Sequence, residues 1–158
     1  MHARRSLRLP GYDYRSTGVY FVTVCTRDGV CLLGEVTGDR MVLGSLGRLV
    51  RAAWVGVGRY HDAIGLDALT VMPNHVHAII VLDRAAERRP PPLPAVVGMA
   101  KARASRRAGF PLWQRSFYDR IVRDERELQA FREYIETNPL RWALERESPK
   151  RRSGQRAG

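Results

Sequence analysis

VMPNHVHAIIVL, residues 71–82, places two histidines one residue apart at the start of an apolar run. From residue 76 to residue 82 every position except His77 is apolar, which predicts a strand in the middle of a sheet. Because side chains alternate between the two faces of a strand, His75 and His77 point to the same side, about 7 Å apart. Two neutral imidazoles placed in this way can bind one divalent metal, although ordinary histidines on a sheet face have the same spacing.

A second group of candidate residues lies about sixty positions downstream, in DERELQAFREYIETNPLRW, residues 124–142. Asp124 and Glu127 form an N-cap and N3 pair, so a helix is predicted to begin there. Apolar residues recur at three- and four-residue steps: Leu128, Phe131, Ile135. They predict one face packed on the core, and Pro139 is predicted to end the helix near Asn138.

Tyr134 and Asn138 flank this apolar stripe. Being four residues apart on the predicted helix, they direct a phenol and a carboxamide toward the same neighbouring surface. The alternative interpretation is a half-buried tyrosine at the edge of the core and an asparagine that ends the helix.

The two groups together resemble the REP-associated tyrosine transposases, a branch of the single-tyrosine HUH transposases and nucleases. The His-hydrophobic-His segment after Met-Pro-Asn and the Tyr-x-x-x-Asn-Pro ending are the specific parts. Four segments carry the resemblance in the family's order: GYDYRSTGVYFVTVCTRDGVCLLGEV (11–36), VMPNHVHAIIVL (71–82), LWQRSFYDRIVRDEREL (112–128) and REYIETNPLRWAL (132–144). The resemblance implies an α+β fold, a single antiparallel sheet flanked by helices of the ferredoxin or RRM type.

The same resemblance implies a metal-dependent single-strand DNA endonuclease and strand transferase. His75 and His77 would hold Mg²⁺ or Mn²⁺, with Asn138 as a further ligand, and Tyr134 would attack phosphorus to form a 5′-phosphotyrosine. Its DNA would be hairpins of repetitive extragenic palindromes, and a monomer is favoured over a dimer. Two alternatives remain open: a silent module that binds DNA or RNA hairpins, and a phosphodiesterase in which water attacks and Tyr134 is a packing residue.

Charge and composition favour a nucleic-acid partner. The chain has 27 Lys and Arg against 16 Asp and Glu, a net charge of +11 and a pI near 10.7. Such an excess attracts polyanions, with nucleic acid preferred over an anionic membrane. No run of about 18 apolar residues is present and the Arg-rich start lacks a signal-peptide core, which predicts a cytoplasmic, nucleoid-associated protein. Cys25 and Cys31 are interpreted as packing residues.

The remaining patterns predict the rest of the domain. Strands are predicted over 19–26 and 66–72, a hairpin over 31–43 and a helix over 45–60. One domain is predicted over 1–148, with a surface linker at 83–95 and a basic disordered tail at 149–158. A short basic helix is predicted over 96–107, and it carries Lys101, Arg103, Arg106 and Arg107. These four are candidate phosphate contacts, the alternative being a solvated helix face.

Overall fold

The computed structural model describes residues 17–59 and 61–147, so the predicted tail at 149–158 lies outside the described residues. A short 3-10 turn, Arg27–Gly29, follows the first strand. The strands and α-helices of the described chain are, in order, β1 Thr17–Cys25, β2 Gly34–Thr37, β3 Arg40–Leu43, α1 Ser45–Val57, β4 Ile64–Met72, β5 His75–Asp83, α2 Leu93–Ala108, β6 Tyr118–Ile121, α3 Glu125–Glu136 and α4 Asn138–Glu147. None of these helices is long and apolar enough to cross a bilayer.

Four strands form one antiparallel sheet in the order β4-β5-β1-β6, and β2 with β3 forms a separate hairpin. This arrangement confirms the predicted α+β class with an antiparallel sheet flanked by helices. It also confirms that β5, the strand of the two histidines, lies inside the sheet, between β4 and β1. The sequence does not predict β6, because its four residues show no apolar alternation. In the structure all four are exposed.

The alternation of side chains along β5 divides the protein into two packed layers. Val76, Ala78 and Ile80 belong to a core that includes buried residues of α1 and α2. Ile79 belongs to a second core on the opposite face, where α3 packs with Leu128 and Ile135. His75 and His77 alternate with the first set, so both lie on the α3 face of the sheet.

A β-bulge in β4 changes which residues face α3. Leu66 pairs with Ile80 whereas Ala68 pairs with Ile79, so Asp67 is an extra residue without a partner of its own. Such an insertion reverses the alternation after the bulge, which places Ala68 and not Leu66 on the α3 face. Asp67 lies on the same face, since Gly65 two residues earlier pairs with Val81 of the second core, and it can therefore meet a side chain of the helix.

A buried ion pair joins α3 to this bulge. Arg132 donates to Asp67 through Nε (2.8 Å to Oδ2) and through an Nη atom (2.7 Å to Oδ1). Both side chains are almost completely excluded from solvent. A two-pronged guanidinium–carboxylate pair restricts the rotation and the position of the helix, since both hydrogen bonds must be satisfied together.

The ends of α3 are set by local interactions. Asp124 caps the helix by accepting a hydrogen bond from the Glu127 backbone N–H at 2.8 Å, which confirms the predicted start. The helix ends at Glu136, close to the predicted position. Instead of ending the helical region, Asn138 begins α4, since proline at residue 139 is tolerated in a first helical turn.

The basic helix is longer than predicted. It begins at Leu93, with a proline in its first turn, so residues 93–95 belong to α2 and not to the predicted linker. Residues 84–92 do form a loop between β5 and α2. The helix ends at Ala108 and is capped by Gly109, whose φ of 85° suits a residue without a side chain.

Asp67→Asn is expected to destabilise the protein by about 3–5 kcal/mol, because it leaves the buried Arg132 charge without its counterion. Urea unfolding followed by circular dichroism measures the change. Asp62→Asn, in the exposed loop before β4, is the matched control. A difference between the two variants of less than about 1 kcal/mol, the range of an exposed pair, would contradict the buried ion pair.

Candidate active site

The two histidines of β5 lie side by side on the α3 face of the sheet, as predicted from their spacing. Their ring centroids are 4.6 Å apart and the rings meet edge to face at 68°. His77 is 6% exposed, whereas His75 is partly exposed at the end of the strand. The pair therefore has one imidazole inside the protein and one that is open to solvent.

Hydrogen bonds hold the Nδ1 atom of each ring. Nδ1 of His77 lies 2.9 Å from Oγ1 of Thr23, its neighbour across β1. Nδ1 of His75 lies 2.8 Å from Oδ1 of Asn74, whose amide donates to the Gly29 carbonyl at 3.2 Å. Because an amide oxygen only accepts, His75 carries its proton on Nδ1, and its Nε2 has the lone pair that a metal requires.

Burial keeps His77 neutral. Desolvation lowers the pKa of His77 to about 3, and the neighbouring His75 adds a smaller effect in the same direction. At neutral pH the imidazole is therefore uncharged, which is the form that binds metals.

Tyr134 of α3 is brought against the histidine pair. Its ring centroid lies 5.3 Å from that of His77, at 69°. Phe21 of β1 lies between the helix and the strand, stacked on His77 at 5.1 Å and edge-on to Tyr134 at 5.9 Å. The tyrosine is half-buried, so its ring is supported by packing while part of its surface remains accessible.

Asn138 is placed close to the site without a demonstrated contact. It is 6% exposed and is the first residue of α4. Trp142, one turn further along α4, lies 5.9 Å from His75 between ring centroids, so Asn138 is on the helix face that meets the histidines. The described chain shows no hydrogen bond from its side chain to His75 or His77, and it holds no group of three or more His, Cys, Asp or Glu placed for a metal.

A groove of about 780 Å³ lies between the β2–β3 hairpin and α4. Trp142 forms part of its wall, as does Pro73, two residues before His75. The Arg146 guanidinium, also in this wall, lies 4.9 Å from the Trp142 ring centroid. Because Trp142 is only 9% exposed, the exposed Arg146 guanidinium is the group that this wall presents to a ligand.

The basic residues of α2 lie elsewhere. Because α2 packs on the opposite face of the sheet, Lys101, Arg103, Arg106 and Arg107 do not join the histidines and Tyr134. Lys101 donates to the carbonyls of Gln114 (2.7 Å) and Arg115 (3.1 Å), so it holds the loop before β6. Their role as phosphate contacts stays a prediction, and any such contact would be remote from the histidine pair.

Sequence reasoning missed the residues that orient the histidines. Asn74 stands beside them in the sequence, and its proximity to His75 is the only available signal. Thr23 lies more than fifty positions away, and only the β1–β5 register identifies it.

Comparisons with known proteins place the chain among relatives of the same fold. An uncharacterized protein of Haemophilus influenzae is 33% identical over 164 aligned positions, covering 90% of this chain and 91% of that protein. The structure of a REP-associated tyrosine transposase bound to a REP hairpin superposes with a TM-score of 0.61 and 22% identity, covering 78% of this chain and 67% of that one. A proposed transposase of Deinococcus radiodurans gives 0.51 and 20%, covering 82% and 95%. No family model matches the chain.

Acid is expected to destabilise the protein through His77. Its pKa is near 6.5 in the unfolded chain and about 3 in the folded protein, so the unfolded chain takes up a proton first as the pH falls. The free energy of unfolding therefore falls as the pH drops from about 6.5 toward 3, by at most about 1.4 kcal/mol per pH unit from this group. Urea unfolding at successive pH values measures this slope.

His77→Gln is expected to flatten the slope between pH 6.5 and 4, because it removes the group that titrates. His61→Gln, in the loop before β4, serves as the control and should keep the pH slope of the wild-type free energy of unfolding. An unchanged slope in His77→Gln would show that His77 is not buried in its neutral form.

Proposed function

We propose that this protein cleaves and rejoins single-stranded DNA through Tyr134. The chain belongs to the same protein family as the Haemophilus influenzae relative, and it has the fold of a REP-associated tyrosine transposase. The observation that carries the proposal is the contact between Tyr134 and His77, since two segments nearly sixty residues apart meet there. A nucleophile and a pair of metal-ligating side chains at one place are the parts that phosphodiester cleavage requires.

The histidine pair fits a divalent metal, Mg²⁺ or Mn²⁺. With Nδ1 of His77 donating to Thr23 and Nδ1 of His75 donating to Asn74, the Nε2 atoms are the ligating nitrogens of this neutral pair. Asn138 is the proposed third ligand, since an amide oxygen suits a hard cation. When bound, the metal supplies Lewis-acid stabilisation of negative charge on a phosphate oxygen.

The proposed reaction exchanges one phosphoester for another. The Tyr134 phenol oxygen attacks phosphorus, the bond from phosphorus to the 3′ oxygen breaks, and the phenol proton ends on the released 3′-hydroxyl. The product is a 5′-phosphotyrosine. Because this ester conserves the phosphodiester linkage, a 3′-hydroxyl can attack it and reseal or transfer the strand without ATP.

Hairpin DNA is the proposed substrate. The net charge of +11 favours a polyanion, and the REP-associated transposase of similar fold is bound to a REP hairpin. The groove beside α4 would receive the unpaired strand, with the exposed Arg146 guanidinium in its wall as a phosphate contact.

The protein is expected to form a covalent adduct with DNA. Purified protein is incubated with 3′-labelled single-stranded hairpins taken from palindromic repeats of its own genome, with Mn²⁺ or with EDTA. An SDS-resistant band that carries the label is expected with Mn²⁺ only, because the 5′ end of the labelled fragment becomes joined to the tyrosine.

Tyr134→Phe is expected to abolish the adduct while hairpin affinity stays close to that of the wild type, since only the attacking oxygen is removed. Tyr118→Phe, on the exposed edge strand, is the matched control and should react normally. Hairpin binding by the wild type without an adduct or cleavage would instead favour a binding module. Free 5′-phosphate ends that persist in Tyr134→Phe would favour hydrolysis by water.

Metal affinity is expected to depend on the Thr23 hydroxyl. Mn²⁺ binding is measured by the loss of the electron paramagnetic resonance signal of the free ion. Binding should disappear in His77→Asn. It should weaken about 10-fold in Thr23→Val, which removes the hydrogen bond to Nδ1. Thr70→Val is the control, since Thr70 pairs with His77 from β4 but its hydroxyl points to the Met72 sulfur. Equal affinities in the two threonine variants would contradict the proposed orientation of His77.

A further inference from the structure

Arg141 of α4 lies over the candidate nucleophile. Its guanidinium carbon is 5.0 Å from the centroid of the Tyr134 ring, and the side chain is exposed. His77 of the histidine pair contacts the same ring, edge-on at 5.3 Å between centroids. The phenol is therefore flanked by a permanent positive charge as well as by the proposed metal ligands.

A hydrogen-bond chain holds Arg141 in this position. Its Nε donates to Oγ1 of Thr137 at 3.1 Å, and the same hydroxyl donates to the Glu133 carbonyl at 2.8 Å. The hydroxyl of Thr137 thus uses its proton and a lone pair at once, which restricts its rotation. The guanidinium is anchored at the junction of α3 and α4 through one nitrogen, Nε.

The charge of Arg141 is not neutralised by an acid within residues 17–59 and 61–147. The charge of Arg132, by contrast, is paired with Asp67 in the interior. An exposed arginine that is anchored through Nε and bound to no carboxylate of the described residues is prepared to bind an anion, since a guanidinium presents its remaining N–H groups as a planar fork.

We propose that Arg141 is a further catalytic residue, which binds a non-bridging oxygen of the phosphate that Tyr134 attacks. This assignment rests on the proposed function. As the phenol oxygen bonds to phosphorus and the 3′ oxygen departs, negative charge accumulates on the non-bridging oxygens, and the fixed guanidinium stabilises it. After the reaction the same contact holds the phosphotyrosine in place for attack by a 3′-hydroxyl.

The competing role is packing alone, in which the guanidinium clamps α4 onto the Tyr134 ring. A cation over an aromatic ring at an exposed site contributes about 0.5–1 kcal/mol, enough to help position the helices. The two roles differ in one respect: only the catalytic role depends on the charge of the phosphate. A substrate without that charge separates them.

The experiment measures single-turnover adduct formation at saturating hairpin DNA, with an ordinary phosphodiester or an uncharged methylphosphonate at the mapped cleavage position. Wild type is compared with Arg141→Ala and Arg141→Lys, and Arg126→Ala removes the same charge from an exposed position of α3 as the control. Urea unfolding establishes that each variant is folded, and Arg141→Gln replaces Arg141→Ala if the latter is not.

On the phosphodiester, Arg141→Ala is expected to react about 100-fold more slowly than wild type, Arg141→Lys less so, and Arg126→Ala at the normal rate. On the methylphosphonate the gap between wild type and Arg141→Ala should close. Equal rates on the phosphodiester, or an equal defect on both substrates, would overturn the assignment of Arg141 alone. If the wild type itself forms no adduct, the proposed function fails and the assignment falls with it.

Discussion

The buried ion pair between Arg132 and Asp67 is the interaction on which the arrangement of the site depends. It fixes α3 against β4, and Tyr134 lies only two residues beyond Arg132 on that helix. Apolar packing of Leu128 and Ile135 holds the helix on the sheet but permits small sliding and rotation, because hydrophobic contacts are not directional. Two short hydrogen bonds to one carboxylate remove that freedom and set the distance between the tyrosine and the histidines.

The bulge in β4 lies next to this ion pair. In a regular strand the side chains would alternate without interruption, so the residues on the α3 face would be Gly65, Asp67 and Leu69. Asp67 faces α3 as Gly65 does, and the extra residue places Ala68 and Thr70 on the same face, which they share with His77. The ion pair and the bulge together define this edge of the site, and a buried carboxylate without Arg132 would be unstable.

The two faces of the sheet carry different tasks. One face is covered by α1 and α2 and is almost entirely apolar, which supplies rigidity. The other face combines apolar packing around Phe21 with polar groups that each have a partner: Thr23 on His77, Asn74 on His75, Thr137 on Arg141. Polar side chains that are held in this way keep their orientation before a ligand arrives, which reduces the reorganisation that binding or catalysis would otherwise require. The positive charge is likewise divided, with α2 on one side and Arg141 and Arg146 on the other.

The sequence by itself determined the local features of this protein. The apolar run of β5, the spacing of the two histidines, the Asp124 cap of α3 and the helical periodicity around Leu128 all depend on neighbours within a few residues, so they can be read from the chain. The tertiary structure alone decided that Asp67 is bulged, that Arg132 pairs with it across 65 positions, that Thr23 meets His77, and that the basic residues of α2 lie behind the sheet. It also separated Asn138 from the helix of Tyr134. These features arise from strand register and from the packing of helices on a twisted sheet, which join distant segments and leave no periodic signal in the sequence.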